Sequence, residues 1–135
     1  MKIQGIVQDG EGDASFWLKK YSDVYRFWTG MTLSPGSLNV RLAAKFDWND
    51  TSLEPFKKIY SLVPYGGNRE ICLIPCEIYK EEQDRIYAFA WATTNAANNF
   101  DYRVLEIITS VRLREVLQLN NGSAVTIDIP VSWKS

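Results

Sequence analysis

Histidine is absent from the 135 residues, and cysteine occurs only twice. Without an imidazole there is no Ser-His-Asp triad, no Cys-His pair and almost none of the donor sets that build catalytic zinc. The two thiols are Cys72 and Cys76. In an extended segment their Cα atoms stand about 13 Å apart, too far to pair with each other. They read as reduced, buried, small apolar residues, with no electropositive neighbour to raise a reactive thiolate. An excess of charge is lacking as well. The net charge is −1, so there is no basic surplus of the kind that neutralises phosphate, and nucleic acid is not an expected partner. No run of 18 apolar residues occurs, and Met1-Lys2-Ile3-Gln4-Gly5 holds no apolar core of signal-peptide length. No membrane partner is expected, and a cytoplasmic location is the expectation.

What is present is enough for one domain. Hydrophobic residues make up 46%, charged residues 23% and aromatic residues 13% of the chain, a soluble globular composition with material for a proper core. No internal repeat, low-complexity tract or linker divides it, so residues 1–135 read as a single domain.

The organising stretch is Ser34-Pro35-Gly36-Ser37-Leu38-Asn39-Val40-Arg41-Leu42. Pro35 fixes φ and Gly36 permits φ > 0, which makes a tight turn that aims a strand. With a period of two, Leu38, Val40 and Leu42 share one face and Ser37, Asn39 and Arg41 the other. Ser37 Oγ and Asn39 Oδ1, about 6–7 Å apart along a strand, are placed to converge on one small hard cation. Both are neutral, which points to a metal that arrives with a nucleotide whose phosphates complete its shell. The plainer alternative is a polar outer strand face.

Along the chain, Lys2 to Val7 and Ser15-Phe16-Trp17-Leu18 read as strands joined by the loop Gln8-Asp9-Gly10-Glu11-Gly12-Asp13-Ala14. Gly10 and Gly12 would let backbone N–H groups approach a phosphate; an ordinary hairpin connection is the alternative. Tyr21 to Thr29 reads as a helix capped by Ser22 and ended by Gly30. Residues 43–70 are harder to parse: a turn over 47–51, a helical turn or two within 52–59 with Pro55 near its start, and a loop over 64–68. Strands follow over 70–79 and 85–91. In the second, Tyr87, Phe89 and Trp91 share one face and Ile86, Ala88 and Ala90 the other, so the strand is central. The aromatic ladder is either core packing or the wall of a pocket for a flat ligand.

After the polar loop 93–101, residues 103–109 form a strand in which Glu106 is anomalous. It shares a face with Val104 and Ile108, so it needs a solvated face or a donor, such as a ligand N–H. Ser110 is placed to cap a helix over 111–119, where Arg112 and Arg114 serve an anion or simply a solvated face. A turn over 120–123 leads to a last strand, Ala124 to Ile129, with Val125, Ile127 and Ile129 inward and Pro130 ending it. About seven short strands and two or three short helices make a closed or nearly closed β-barrel.

The glycine loop, the short helix, Pro35-Gly36-Ser37-Leu38-Asn39-Val40, the run Leu105-Glu106-Ile107-Ile108-Thr109-Ser110-Val111-Arg112-Leu113-Arg114-Glu115 and the turn Leu119-Asn120-Asn121-Gly122 follow one another in an order that resembles the CTP-dependent riboflavin kinases of archaeal type. The resemblance implies a mainly β, cradle-loop (RIFT-like) barrel that transfers the γ-phosphate of CTP to the ribityl 5′-hydroxyl of riboflavin, giving FMN and CDP. It implies Mg²⁺ on Ser37, which stands for the threonine of the family's P-G-T-x-N motif, and on Asn39. It implies a flavin contact at Glu106, within a segment where Thr109-Ser110 replaces Ala-Pro, and another at Thr94 or its neighbour Thr93. Val111, Arg112, Leu113 and Arg114 take the place of the family's nucleotide contacts. Gly10, Glu11, Gly12 and Asp13 stand where the family has a richer G-x-G-x-G cradle. No general base is evident beyond Glu11 or Asp13. The alternative is a non-catalytic flavin- or nucleotide-binding barrel that keeps the scaffold.

Overall fold

The computed structural model describes residues 1–10, 14–93 and 103–134. Among them are seven strands: β1 (Lys2–Gln8), β2 (Leu38–Leu42), β3 (Lys58–Ser61), β4 (Glu70–Tyr79), β5 (Ile86–Thr93), β6 (Val104–Ile108) and β7 (Ala124–Asp128). They pair in the order β3-β4-β5-β6-β2-β1-β7, and a further β4–β7 pairing closes the ring. The closed unit is a six-stranded antiparallel barrel. The extra strand, β3, lies against residues 70–73 of β4, while β7 pairs with residues 77–79 of the same strand. A ten-residue β4 therefore serves two neighbours along one edge.

Strand alternation sorts the side chains into two cores. Inward residues such as Val40, Cys76, Ala88, Ala90, Leu105 and Ile127 fill the barrel. The outer face of β4, β5 and β6 contributes Leu73, Phe89, Trp91 and Ile108 to a second core, roofed by helices. That double burial is why β5 has no polar face, as its sequence predicts. Fully burying side chains of this size contributes about 1.5–3 kcal/mol each, so neither core is incidental.

The roof corrects one expectation. Residues 15–18 do not form a strand but belong to helix α1 (Ala14–Lys20), followed by α2 (Ser22–Thr29). A run as short as Phe16-Trp17-Leu18 does not distinguish helix from strand; the period extending beyond it does. Leu18, Tyr21, Tyr25 and Trp28, spaced three, four and three apart, are all buried in the outer core. Gly30 ends α2 as expected, at φ 76°, with its N–H bonded to Arg26 O. Ser22 is not its cap. Tyr21 holds that position, and no side chain caps the helix.

Residues 52–59 meet the expected helical turn only at their start. One 3₁₀ turn, Thr51–Leu53, is capped by Asp50, whose carboxylate accepts from Ser52 N. The chain then becomes β3 rather than helix, because Tyr60 stacks on Trp28 at 4.6 Å and ties this segment to the roof. Phe46, Trp48 and Leu53 pack into the barrel core. Cys72 and Cys76 are both free and buried, facing the barrel interior. Finally, the expected helix over 111–119 is a single turn, α3 (Leu113–Val116), and Arg112 rather than Ser110 stands at its N-cap position. No described helix is long and apolar enough to cross a membrane.

Candidate active site

The Pro-Gly turn is fixed from both sides. Gly36 takes φ 96°, the left-handed conformation its position requires. Ser34 N donates to Thr109 O at 2.8 Å, and Thr109 Oγ1 donates to Tyr87 O at 2.6 Å. The turn is thereby bound to the end of β6. Between it and residues 111–114 lies a cleft of about 230 Å³, lined by Pro35, Gly36 and Ser37 on one side and by Val111 to Arg114 on the other.

Register brings the outward polar residues together. Gln8 of β1 pairs with Asn39 of β2, Asn39 with Glu106 of β6, and Glu106 with Trp91 of β5. These four residues form one row across the outer face. Ser37, two residues before Asn39 on the same face, donates from Oγ to Glu106 Oε1 at 3.0 Å. That bond answers the anomaly of Glu106, because its carboxylate meets a donor from the neighbouring strand. The face it shares with Ile108 is only partly buried at residue 106.

Gly10 completes this side of the site. A Cβ there would lie 2.2 Å from Asn39 Nδ2 and 2.8 Å from its Cγ, so the loop after β1 rests directly on the asparagine amide. The need for glycine at position 10 is contact with Asn39 rather than backbone strain. Glu11, Gly12, Asp13 and Thr94 lie outside the described residues. Thr93 is the last residue of β5, and it lines a second cavity rather than the cleft.

The two arginines divide their work. Arg112 is largely exposed and pairs with Glu115 at 3.2 Å. Arg114 Nη2 reaches Asn121 Oδ1 at 2.9 Å, Gln8 O at 3.3 Å and Asp9 Oδ1 at 3.5 Å. Arg114 thus ties the start of the glycine loop to the turn after α3, a role that sequence reasoning missed. Gly122 N to Val7 O, and Val7 N to Ser123 O, reinforce the same junction.

The second cavity, about 210 Å³, sits under the roof. Trp17, Tyr21, Tyr25 and Trp91 wall it, and Trp91 Nε1 donates to Tyr25 OH at 3.0 Å. Burial of that phenol pushes its proton affinity well above the usual tyrosine range.

As a cation site, the first region offers a hydroxyl, an amide oxygen and a neighbouring carboxylate on adjacent strands, with the absent Cβ of Gly10 leaving room for the amide. These are hard oxygen donors, and the set fits Mg²⁺. Among the described residues no cluster of three or more His, Cys, Asp or Glu offers a different kind of metal site.

Comparison with known proteins finds relatives along nearly the whole chain. The chain is 26% identical over 133 residues to a riboflavin kinase of Methanococcoides burtonii, covering 96% of this chain and 57% of that protein. It is 23% identical over 136 residues to a riboflavin kinase of Picrophilus torridus, covering 99% and 59%. The chain therefore spans somewhat over half the length of these relatives. A family model named CTP-dep_RFKase, described as domain of unknown function DUF120, matches residues 7–129. Turn, glycine loop and Glu106 all fall within that span, and the chain belongs to the CTP-dependent riboflavin kinase domain family.

Proposed function

We propose that this protein is a riboflavin kinase that transfers the γ-phosphate of CTP to the ribityl 5′-hydroxyl of riboflavin, with Mg²⁺, to give FMN and CDP. The observation that carries the reading is the grouping of Ser37, Asn39 and Glu106 on adjacent strands, with Ser37 also lining the cleft that holds Arg112, in a chain of this family. Phosphoryl transfer asks a protein chiefly for positioning and charge neutralisation, and the site is built for both.

Ser37 and Asn39 would hold Mg²⁺, which supplies positive charge to the phosphate oxygens. Because Ser37 gives its hydroxyl proton to Glu106, the lone pairs of Oγ remain available to an electropositive partner. Arg112, on the opposite wall, adds an exposed positive charge for the triphosphate. Arg114 holds the loop that begins at Gln8 against α3, and the close approach of Gly10 to Asn39 sets where that loop meets the metal pair. The ligands of this reading are small molecules, which accords with a cytoplasmic enzyme that needs neither membrane nor nucleic acid.

The deciding experiment is chromatographic detection of FMN after incubation with riboflavin, Mg²⁺ and either CTP or ATP. FMN formed with CTP supports the kinase. No FMN with either donor, from protein shown to be folded, favours a flavin- or nucleotide-binding barrel without turnover. The acidic character of the loop, Asp9-Gly10-Glu11-Gly12-Asp13, is the feature that keeps this second reading in play.

A further inference from the structure

Helices α1 and α2 meet at Tyr21, and the backbone ladder runs through the junction: Tyr21 N donates to Trp17 O at 3.2 Å, and Tyr25 N to Tyr21 O at 3.0 Å. The two helices therefore keep one rotational phase, with Leu18, Tyr21, Tyr25 and Trp28 all turned into the outer core. The opposite side carries Phe16, Lys20, Asp23 and Phe27, spaced four, three and four apart, which makes them one helical stripe. All four are exposed, Phe16 at 60% and Phe27 at 81%. None of them lines the cleft or the second cavity. One exposed ring needs no explanation; two rings in register with a pair of opposite charges do.

We propose that this stripe is the interface of a two-fold symmetric homodimer, in which the α1–α2 helices of two copies pack antiparallel. Along the stripe the order is apolar, positive, negative, apolar. Phe16 and Phe27 are equidistant from the midpoint between Tyr21 and Ser22, and so are Lys20 and Asp23. In an isologous contact a patch must complement itself, residue i meeting j while j meets i. An antiparallel pair centred on that midpoint sets Phe16 of each copy against Phe27 of the other, and Lys20 of each against Asp23 of the other. A parallel pair would set lysine on lysine and aspartate on aspartate, which repel. From Phe16 to Phe27 the contact runs about 16 Å.

The charges are available for this use. The ion pairs among the described residues include neither Lys20 nor Asp23. Lys20 Nζ lies 5.9 Å from the Phe16 ring and 5.4 Å from the Trp17 ring, and Phe16 meets Trp17 edge-on at 5.0 Å, so the ammonium stays within the stripe. At about 200 Å² per ring, the exposed parts of Phe16, Trp17 and Phe27 offer roughly 350 Å² per copy. Val63 and Tyr65, both exposed, extend the apolar surface beside α2, where Tyr65 meets Trp28 edge-on at 6.2 Å. Set against the about 800 Å² per partner of a standard interface, a face of this size suits a reversible dimer rather than an obligate one. Such a dimer stands with or without turnover.

The test is sedimentation velocity of the full chain from about 5 to about 500 µM, a range that brackets a reversible contact. The wild type is expected to pass from monomer to dimer across it. Lys20→Glu and Asp23→Lys each bring like charges together at both symmetry-related positions, and each should dimerise about tenfold more weakly or worse. An equal mixture of these two variants restores opposite charges at both positions, as does Lys20→Glu combined with Asp23→Lys, and the dimer should return in both cases. Phe27→Ser should be monomeric with the melting temperature of the wild-type monomer, and Val116→Ser, exposed on α3, should dimerise like the wild type. A wild type that stays monomeric throughout overturns the proposal and leaves the face to a different partner. Unchanged dimers in both charge variants overturn it by placing the interface elsewhere, and a mixture that fails to dimerise overturns the antiparallel register.

Discussion

Ser37 and Glu106 stand 69 residues apart in the chain and share a hydrogen bond of 3.0 Å. The bond links the serine of the Pro-Gly turn to the carboxylate of β6. It fixes which way the serine proton points.

Ser37→Ala and Asn39→Ala are each expected to reduce FMN formation by about 10²-fold or more, the scale of losing one preorganised electrostatic group. Ser37→Thr keeps the hydroxyl and should stay within a few-fold of wild type. Initial rates with CTP and Mg²⁺ check this. Full activity in Asn39→Ala would remove the pair from the chemistry.

Gly10→Ala is expected to behave like a mild Asn39 variant. The added methyl would sit 2.2 Å from Asn39 Nδ2, so the amide or the loop must shift. Turnover should fall and the Mg²⁺ concentration for half-maximal rate should rise, with melting temperature nearly unchanged. An unaltered Mg²⁺ dependence would argue against contact through Asn39.

Arg112→Ala and Arg114→Ala should differ in kind. Arg112 is exposed with one ion pair, so its loss should raise KM for CTP and leave stability alone. Arg114 bonds to three acceptors on two segments. Its replacement by alanine should lower the melting temperature as well as the nucleotide affinity. Equal effects of the two on stability would refute the division.

The thiols supply a prediction independent of function. Burial pushes the Cys72 thiol up to about 11 and the Cys76 thiol further in the same direction. Both should resist a thiol reagent at pH 8 in the folded protein and react after denaturation. A free thiol titrates near 8.5 in the unfolded chain, so above that pH the unfolded state gives up protons that the folded state retains. Stability is therefore complete below about pH 8.5 and declines as pH rises toward 11. A urea midpoint that does not fall between pH 8 and pH 10 would contradict this.

The barrel strands were legible because alternation survives in them. Leu38, Val40 and Leu42 of β2 and Val125 and Ile127 of β7 point inward as their spacing requires. Helix α1 was not legible within four residues, since its buried partners Tyr25 and Trp28 lie in the next helix. Strand β3 was hidden for a similar reason: Tyr60 is held by Trp28, a contact made 32 residues away along the chain. At the site, Ser37, Asn39 and Glu106 were legible one by one from turn chemistry and from a carboxylate out of place. Their meeting was not, because it depends on the pairing of β2 with β6. The tether of Arg114 to Gln8 is likewise a product of topology, and no local pattern announces it.

The row Gln8–Asn39–Glu106–Trp91 makes the chemistry of this face discrete. A strand side chain points either out or in, so sliding β2 by one residue would replace Ser37 and Asn39 with Leu38 and Val40 and expose the barrel lining in the same step. No halfway arrangement exists in which the pair is merely weakened. Such a site can drift by exchanging side chains in place, serine for threonine being the mildest case. It cannot drift by gradual movement of the backbone, and its inheritance is in that sense digital.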